Sequence, residues 1–266
     1  MNILLDIGGT KIRIAAAGDG DTFGTPRIIE TPATGDEALR MIVSNARELA
    51  NDTVISGVYA GVRAYDRITG TLRDHPRLPM WEGFAIRDAL QKNFNTTVVI
   101  ENDAAVVGLG EAVYGAGKGK QIIAYLTIST GVGGAKIVDG RIDENAIGFE
   151  PGAEIVDGTH TLEELISGSA IECKYGMHPK DITNPEVWKE LARFLAIGVN
   201  NAIVHWSPDC VVLGGSMMNE IGIPLTLVEE SLTKMLTVYG TRPPLIHASL
   251  GDLGGLYGAL ALSQQS

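Results

Sequence analysis

Two short turns rich in glycine and hydroxyl residues contain the groups best suited to hold a phosphate. The first turn is Gly8-Gly9-Thr10-Lys11, and the second runs over residues 129–134. Glycine has no Cβ, so the backbone N–H groups of such turns can approach an anion closely. Thr10, Ser129, Thr130 and the Lys11 ammonium would add donors. Each turn alone also fits a tight hairpin without a ligand, but two similar turns in one chain favour a pair that grips a polyphosphate.

The standard nucleotide motifs are absent from the chain. It contains neither G-x-x-x-x-G-K-[ST] nor G-x-G-x-x-G, which are typical of P-loop and dinucleotide-binding proteins respectively. Any phosphate site must therefore be built on a different turn.

Asp103 is the carboxylate best placed for proton transfer. It follows the β-branched run at residues 97–100 and precedes a helical pattern that begins at Ala104. Ligands of α/β proteins gather beyond the carboxyl ends of the strands, and a carboxylate there can accept the proton of an attacking hydroxyl. Asp103 also suits a helix N-cap, and the two roles can coexist. Asp6, at the end of the first strand, is either a carboxylate on the Mg²⁺ side or a turn residue.

The pattern of elements places these residues in an α/β protein. Residues 3–17 and 122–139 both show strand, Gly/Thr turn and strand, which indicates two related lobes with a boundary near residues 110–120. Strands are predicted over 3–7, 12–15, 54–62, 96–100, 122–128, 135–138, 210–213 and 245–248. Helices are predicted over 36–50, 84–94, 104–114, 162–175, 185–205, 224–236 and 254–262.

Composition excludes several classes of protein. The chain has 266 residues, 45% of them hydrophobic, with a net charge of −11. An acidic chain lacks the clustered Lys and Arg of a nucleic-acid-binding face, and no apolar run is long enough to span a membrane. The N-terminus lacks the features of a signal peptide. Two distant cysteines, Cys173 and Cys210, fit neither a disulfide framework nor a four-thiolate zinc site, so a cytoplasmic location is expected.

Taken together, these segments resemble the ROK (repressor, open reading frame, kinase) family of sugar kinases over nearly the whole chain. Residues 6–11 are similar to its first phosphate motif, and residues 126–134 to its second. Residues 101–105, Glu-Asn-Asp-Ala-Ala, followed by Gly110-Glu111, are similar to its base-bearing segment, and residues 211–216 to its adenosine-side segment. The final helix at 254–261 resembles the family's closing helix, which crosses back to the N-terminal lobe.

The resemblance implies a fold and a set of roles. The fold is the two-lobed actin/hexokinase-like ATPase fold with duplicated ribonuclease H-like lobes. Residues 1–112 with the helix at 252–266 would form the N-terminal lobe, and residues 113–251 the C-terminal lobe. ATP and sugar would occupy the cleft between them. Asp103 would be the general base, and Asp6 would act near Mg²⁺. Sugar contacts are expected from Asn102, Glu150 and Glu163. The ATP-binding residues would be Asp6, Gly8, Gly9, Thr10, Lys11, Thr130, Gly131, Gly133, Gly214 and Gly215.

The sequence departs from the family pattern on the sugar side. The family's cysteine-rich zinc loop is missing between Gly152 and Glu163, so no structural zinc is expected, and His160 in that interval is interpreted as a solvated residue. The family's P-N-L-P loop reads Pro-Arg-Leu-Pro here, which puts Arg77 at the Asn position. Arg77 either points to solvent or faces an anionic substituent, because guanidinium binds carboxylates in bidentate fashion.

The resemblance therefore predicts an ATP- and Mg²⁺-dependent carbohydrate kinase. The acceptor would be a sugar hydroxyl, namely the 6-OH of an aldohexose such as glucose or of an N-acetylhexosamine. The main alternative is a catalytically weak or inactive sugar- and nucleotide-binding protein with a regulatory role, and an actin-like ATPase without a sugar is a third. The chain starts directly on its first strand, so no DNA-binding segment is expected. A homodimer is compatible with the family.

Overall fold

The chain forms two compact units. We describe residues 1–73, 75, 77–219 and 221–265 of a computed structural model. Unit 1 comprises Met1–Val113 together with Asp252–Ser266, and unit 2 comprises Tyr114–Gly251. Pro76, from the loop compared with P-N-L-P, and Ser266, from the predicted N-terminal lobe, lie outside the described residues.

Unit 1 is built on a five-stranded mixed sheet in the order β3-β2-β1-β4-β7. The pairs β1–β2 and β2–β3 are antiparallel, whereas β1–β4 and β4–β7 are parallel. The strands β4 and β1 are almost entirely buried, as their continuous apolar sequences predict. A two-stranded ribbon, β5–β6, lies outside the sheet. The strands are β1 (Asn2–Ile7), β2 (Lys11–Ala17), β3 (Arg27–Glu30), β4 (Gly57–Val62), β5 (Tyr65–Asp66), β6 (Thr71–Leu72) and β7 (Thr97–Asn102).

Four helices complete unit 1, and local sequence fixes their ends. Thr34 caps the first helix by accepting a hydrogen bond from the Glu37 N–H, and Asn51 ends it in a left-handed conformation. An asparagine in the same conformation, Asn95, ends the second helix. The helices are α1 (Gly35–Ala50), α2 (Ile86–Phe94), α3 (Asp103–Val113) and, from the far end of the chain, α8 (Gly254–Ser263).

Helix α8 packs closely on α3 because glycines line the crossing. A Cβ on Gly110 would lie 2.6 Å from the carbonyl oxygen of Gly254, and a Cβ on Gly258 would overlap the carbonyl oxygen of Val106. No larger residue fits at these two positions without separating the helices. The last helix of the chain is thus a built-in part of unit 1.

Unit 2 contains a second five-stranded sheet, in the order β10-β9-β8-β11-β12. The pairs β8–β9 and β9–β10 are antiparallel, and β8–β11 and β11–β12 are parallel. Order and strand direction therefore repeat those of the first sheet, which confirms the duplication inferred from the two glycine turns. The strands are β8 (Ile122–Ile128), β9 (Val132–Val138), β10 (Arg141–Ile142), β11 (Cys210–Gly214) and β12 (Leu245–His247).

The helices of unit 2 cover one large apolar core. The long helix α6 buries an aliphatic face against β8, α4 and α7, in a core that also includes residues of β11. The predicted helix over 162–175 is two helices, because Ser167 is extended and caps the second one by accepting from the Ala170 N–H. The helices are α4 (Leu162–Ile166), α5 (Gly168–Tyr175), α6 (Pro185–Trp206) and α7 (Leu225–Met235).

Further differences separate the expected elements from the observed ones. The short strands β3, β5, β6 and β10 were not predicted from the sequence, and β4 begins at Gly57 rather than at residue 54, where Val54 is exposed. The other predicted strands and helices are confirmed, with ends that shift by a few residues. Across the described ranges, no helix has the length and apolar character needed to cross a bilayer.

Candidate active site

The first glycine turn joins β1 to β2 and turns its carbonyl groups toward the protein. The carbonyls of Gly8 and Thr10 accept hydrogen bonds from the Thr31 hydroxyl, at 2.7 Å, and the Thr31 N–H, at 3.0 Å. The N–H groups of Gly9 and Thr10 donate to no residue in the described part of the chain. These two N–H groups are thus available to an anion, as expected of a phosphate-binding turn.

The second glycine turn joins β8 to β9 and repeats this division. The carbonyls of Ser129 and Thr130 accept from the Gly168 and Ser169 N–H groups at the start of α5, at 2.7 and 3.3 Å. Within the described ranges, the N–H groups of Thr130 and Gly131 have no acceptor. In both turns, a neighbouring segment binds the carbonyl groups, and the N–H groups of the turn remain available to a ligand.

Gly214 and Gly215 end β11 at the same edge of the second sheet. The parallel register pairs Gly214 with Thr127, two residues before the second turn. A Cβ on Gly215, whose φ is +93°, would overlap the carbonyl oxygen of Ile128. These two glycines therefore bring the end of β11 into close contact with the end of β8. Gly133 lies within β9, opposite Thr127.

Asp6 lies one residue before the end of β1, opposite Arg13 on β2. The Arg13 guanidinium binds the Asp6 carboxylate at 3.1 Å and the Asp252 carboxylate at 3.1 Å. A Cβ on Gly255 of α8 would come within 2.5 Å of the Asp6 Cγ, so the backbone of α8 closes over this carboxylate. Burial raises the pKa of Asp6 to about 6 although Arg13 lowers it, and the nearby Asp103 carboxylate raises it further.

Asp103 and Asn102 divide two roles at the start of α3. The Asn102 Oδ1 accepts from the N–H groups of Ala104 and Ala105, at 2.9 and 3.3 Å, so Asn102 supplies the side-chain cap. Within the described part of the chain, the Asp103 Oδ1 accepts only from the adjacent Ala104 N–H, and the Oδ2 faces Arg63 at 3.7 Å. The helix cap therefore does not consume the Asp103 carboxylate, and the amide nitrogen of Asn102 still has donors to offer.

Arg63 and His75 were not singled out by the sequence, although Arg63 lies beside Asp103 and His75 binds Arg63. Arg63 directly follows β4, and its Nε donates to the His75 Nε2 at 2.8 Å. The Arg77 N–H also points at this ring, 3.1 Å from Nδ1. A neutral imidazole accepts at one nitrogen only, so the shorter contact from Arg63 takes that role. The position of Arg63 at the carboxyl end of a parallel strand was the available signal.

Arg77 and Lys11 flank the first glycine turn. A Cβ on Gly9 would lie 3.0 Å from the Arg77 Cβ and 3.4 Å from its Cδ, so the aliphatic part of Arg77 runs along the turn. Lys11, the first residue of β2, is exposed. The aliphatic part of Arg77 therefore lies beside Gly9, and Lys11 directly follows Thr10 in the chain.

Glu163 and Glu150 both lie by the second turn, at the start of β9. The Glu163 Oε2 accepts from the Val132 N–H at 2.7 Å. Glu150 precedes a short 3₁₀ helix in which Gly152 packs against the carbonyl group of Val132. The Glu163 carboxylate is thus partly engaged in holding the start of β9, and Glu150 lies two residues before a backbone contact with the same strand end.

Asp6 is the candidate metal ligand among the residues described. Among them, no three His, Cys, Asp or Glu side chains converge on a common point. His160 is exposed, and its Nδ1 lies 2.8 Å from the Asp157 carboxylate within one loop. The Asp6 carboxylate is different, because it is held in place by Arg13 and a carboxylate oxygen is a hard ligand of the kind that Mg²⁺ prefers.

Comparison with known proteins assigns the chain to a family. The model of the ROK family matches residues 2–154 and 157–266. The chain belongs to the ROK family. Its fold class is α/β, of the two-lobed actin/hexokinase-like type.

Its relatives include kinases that act on different sugars. A fructokinase of Pediococcus pentosaceus is 26% identical, with 98% of this chain and 96% of the relative covered. The ROK hexokinase from Thermus thermophilus is 27% identical, with 97% and 96% covered and a TM-score of 0.86. A ROK family glucokinase from Streptomyces griseus, solved with glucose and AMPPNP, is similar in fold: identity is 23%, coverage 100% and 99%, and the TM-score 0.80.

Proposed function

We propose that this protein transfers the γ-phosphoryl group of ATP to a sugar hydroxyl, with Asp103 as the general base. The chain is an ATP-dependent sugar kinase by its family and its relatives. One observation carries the assignment of the base. The Asp103 carboxylate stands at the same sheet edge as the first glycine turn, because the registers of β1, β4 and β7 bring Ile7, Val62 and Asn102 level with one another.

The base must take a proton as the acceptor oxygen attacks. The acceptor oxygen forms a bond to the γ-phosphorus, the bond from that phosphorus to the bridging oxygen of ADP breaks, and the hydroxyl proton passes to Asp103. The Asp103 Oδ2 is directed toward Arg63 rather than into α3, so a hydroxyl can replace Arg63 as its partner. Asn102 would offer its amide donors to a neighbouring sugar hydroxyl.

The two glycine turns would hold the phosphates. The unbonded N–H groups of Gly9, Thr10, Thr130 and Gly131 are preorganised donors, since their carbonyls are already fixed by Thr31 and by the start of α5. Lys11 would add a positive charge to the first turn. Donors fixed in advance stabilise the charge of the transferring group without reorganisation during the reaction.

Asp6 would hold the Mg²⁺ that accompanies ATP. A bound Mg²⁺ supplies positive charge that neutralises the phosphate oxygens. Arg13 restrains the Asp6 carboxylate from one side and α8 covers it from another, so the ion would meet a carboxylate whose orientation is already set.

The decisive experiment compares Asp103→Asn with the wild type in an ADP-release assay. The panel contains glucose, fructose, N-acetylglucosamine and N-acetylmannosamine. The proposed acceptor is the 6-OH of an aldohexose or of an N-acetylhexosamine, and the panel tests which sugar reacts. Asp103→Asn keeps size and hydrogen bonding but not basicity, so the turnover of the preferred sugar should fall about 10²–10⁴-fold. Binding of a non-hydrolysable ATP analogue, measured by calorimetry, should stay within threefold.

Asp19→Asn is the matched control, since Asp19 is an exposed carboxylate of the same unit. It should leave turnover unchanged. Turnover of Asp103→Asn close to that of the control would refute the role of Asp103. Absence of sugar-dependent ADP release from the wild type over the whole panel would instead favour a binding protein.

A further inference from the structure

The loop region that follows β4 is positively charged, in contrast with the chain as a whole. Residues 63–77, the arginine segment, contain four arginines and two aspartates, a balance of +2 where the whole chain carries −11. The four arginines are Arg63, Arg67, Arg73 and Arg77. Such a local excess in an acidic protein indicates an anion nearby, either in the protein or in a ligand.

Two of these arginines are paired with carboxylates at the end of β7. Arg67 contacts the Glu101 carboxylate at 3.3 Å, and Arg63 contacts Asp103 at 3.7 Å. Burial raises the pKa of Glu101, and Arg67 lowers it, as expected for a carboxylate held in a partly dry place by its arginine. The acidic groups at this strand end thus already have arginine partners from the segment.

Arg77 is left over. Its guanidinium forms no ion pair or hydrogen bond with any residue in the described ranges, while its aliphatic part lies along Gly9. Its backbone N–H points at the ring of His75, whose other nitrogen accepts from Arg63, the partner of Asp103. Among the described residues, Arg77 is therefore a cation without a partner, on the loop that also carries His75, and His75 binds Arg63, the partner of Asp103.

We propose that the acceptor of this kinase carries an anionic group, a carboxylate or a phosphate ester, and that Arg77 binds it. This inference rests on the proposed function, because it takes Asp103 to be the point where the acceptor hydroxyl lies. A guanidinium binds either anion through two parallel N–H donors. The anionic group itself does not react: the phosphoryl group goes to a hydroxyl of the same molecule, whose proton passes to Asp103.

A second possible partner for Arg77 is a phosphate of ATP, because Gly9 is close. The glycine turn already offers unbonded N–H groups and Lys11 to those phosphates. Arg77 also lies on the same loop as His75, which binds Arg63 beside the proton-accepting residue. The arrangement therefore favours the acceptor as the partner of Arg77. If Arg77 binds the acceptor, its loss changes KM for the acceptor, and if it binds ATP, its loss changes KM for ATP.

The experiment compares matched neutral and anionic acceptors. N-acetylmuramic acid differs from N-acetylglucosamine by a carboxylate on an ether at O3, and glucose 1-phosphate differs from glucose by a phosphate. We expect kcat/KM of the wild type to favour the anionic member of one pair by at least about 10-fold. The pair that shows this preference identifies the anion as a carboxylate or a phosphate.

Arg77→Asn and the control Arg40→Asn complete the test. Loss of a charge-assisted pair should lower kcat/KM for the anionic acceptor by about 10- to 100-fold, while the neutral partner and KM for ATP stay within threefold. Arg40 is an exposed arginine of α1, and its variant should match the wild type. A neutral preference in both pairs would overturn the proposal, as would a variant that raises KM for ATP instead.

Binding measurements separate this inference from the kinase assignment. Calorimetric titration of the same four sugars into Asp103→Asn, with a non-hydrolysable ATP analogue present, needs no turnover. Tighter binding of an anionic member, weakened about 10- to 100-fold when Arg77→Asn is added, supports the proposal even if no sugar releases ADP. Equal binding within both pairs, or no binding, refutes it.

Discussion

The two glycine turns share a backbone arrangement but differ in the residues that precede them. In unit 1 the strand pair before the turn is Asp6 opposite Arg13, and in unit 2 the equivalent pair is Thr127 opposite Gly133. Each turn fixes carbonyls and leaves two N–H groups without an acceptor among the residues that the structure describes. The comparison teaches that uncharged residues suffice to present backbone donors. The charged strand pair before the turn is found in unit 1, and the corresponding pair of unit 2 is uncharged.

The parallel strand beside each turn shows the same contrast. In unit 1, β4 leads directly to Arg63, which faces Asp103. In unit 2, β11 leads to Gly214 and Gly215, whose backbone comes against the end of β8. Unit 1 thus uses this strand end for charge, and unit 2 uses it for close backbone contact. Substitutions at these points should have different consequences for stability in the two units.

The largest effect on stability is expected from Gly215→Ala in unit 2. Gly215 has φ +93° and ψ 163°, a conformation that is essentially restricted to glycine. The added Cβ would also overlap the Ile128 carbonyl oxygen, which cannot move without disturbing β8. The free energy of unfolding, measured by urea denaturation, should fall by about 3 kcal/mol or more.

Gly240→Ala provides the control for this variant. No atom lies within 4 Å of a Cβ built at Gly240, so this variant should stay within about 0.5 kcal/mol of the wild type. A Gly215→Ala protein as stable as the control would show that β8 and β11 tolerate separation at this point, and the contrast between the two units would be lost.

Asp6→Asn should have the opposite sign, because it removes a buried charge from unit 1. The pKa of Asp6 is about 6 in the folded protein and about 3.8 in the unfolded chain. A folded-state pKa above the unfolded one means that stability falls as pH rises from about 4 to about 6, and stays low above that range. At pH 8, without nucleotide or metal, the variant should be more stable by about 2 kcal/mol, although inactive.

The pH dependence distinguishes this effect from a simple change in packing. The advantage of Asp6→Asn should shrink as pH falls from 6 toward 4, because the wild-type carboxyl then becomes protonated too. Asp252→Asn, at the exposed end of the Arg13 network, should show a much smaller change. Equal stability of Asp6→Asn and the wild type at pH 8 would contradict the idea that the buried Asp6 carboxylate lowers the free energy of unfolding.

The smallest effect is expected from Glu163→Ala, which loosens the turn of unit 2. The lost hydrogen bond to the Val132 N–H is partly exposed, so the cost should be about 1 kcal/mol. Glu163→Gln keeps an acceptor oxygen and should recover most of it. If both variants lose sugar binding equally while stability differs, as calorimetry and urea unfolding would reveal, Glu163 contacts the sugar as well as the turn.

Most of the fold was predictable because its core strands are continuous apolar runs that end in glycine turns. The break at Ser167 was not, since the apolar spacing of residues 162–175 continues through it and only the extended conformation of Ser167 interrupts the helix. Strand β3 also escaped prediction. It has four residues, Arg-Ile-Ile-Glu, at the edge of the sheet, which is too short for a period-two pattern to stand out.

The site was predictable where chemistry follows local sequence, and less so where distant segments meet. The positions of Asp6, Asp103 and the two turns at strand ends follow from the α/β pattern. The ion pair of Asp6 with Arg13 was accessible from the hairpin register, but the contribution of Asp252 was not, because it comes from the far end of the chain. The contact of Arg63 with His75 depends on the path of the loop after β4, which no periodicity specifies.

Helix α8 has a consequence for how the protein is made. Unit 1 takes its last helix from residues that leave the ribosome only after the whole of unit 2 has been synthesised. Until then the apolar face of α3 that packs on Gly254 and Gly258 has no cover, and Asp252 cannot reach Arg13. Unit 2 is continuous in sequence and can fold first, so synthesis order puts the completion of the Asp6 site last.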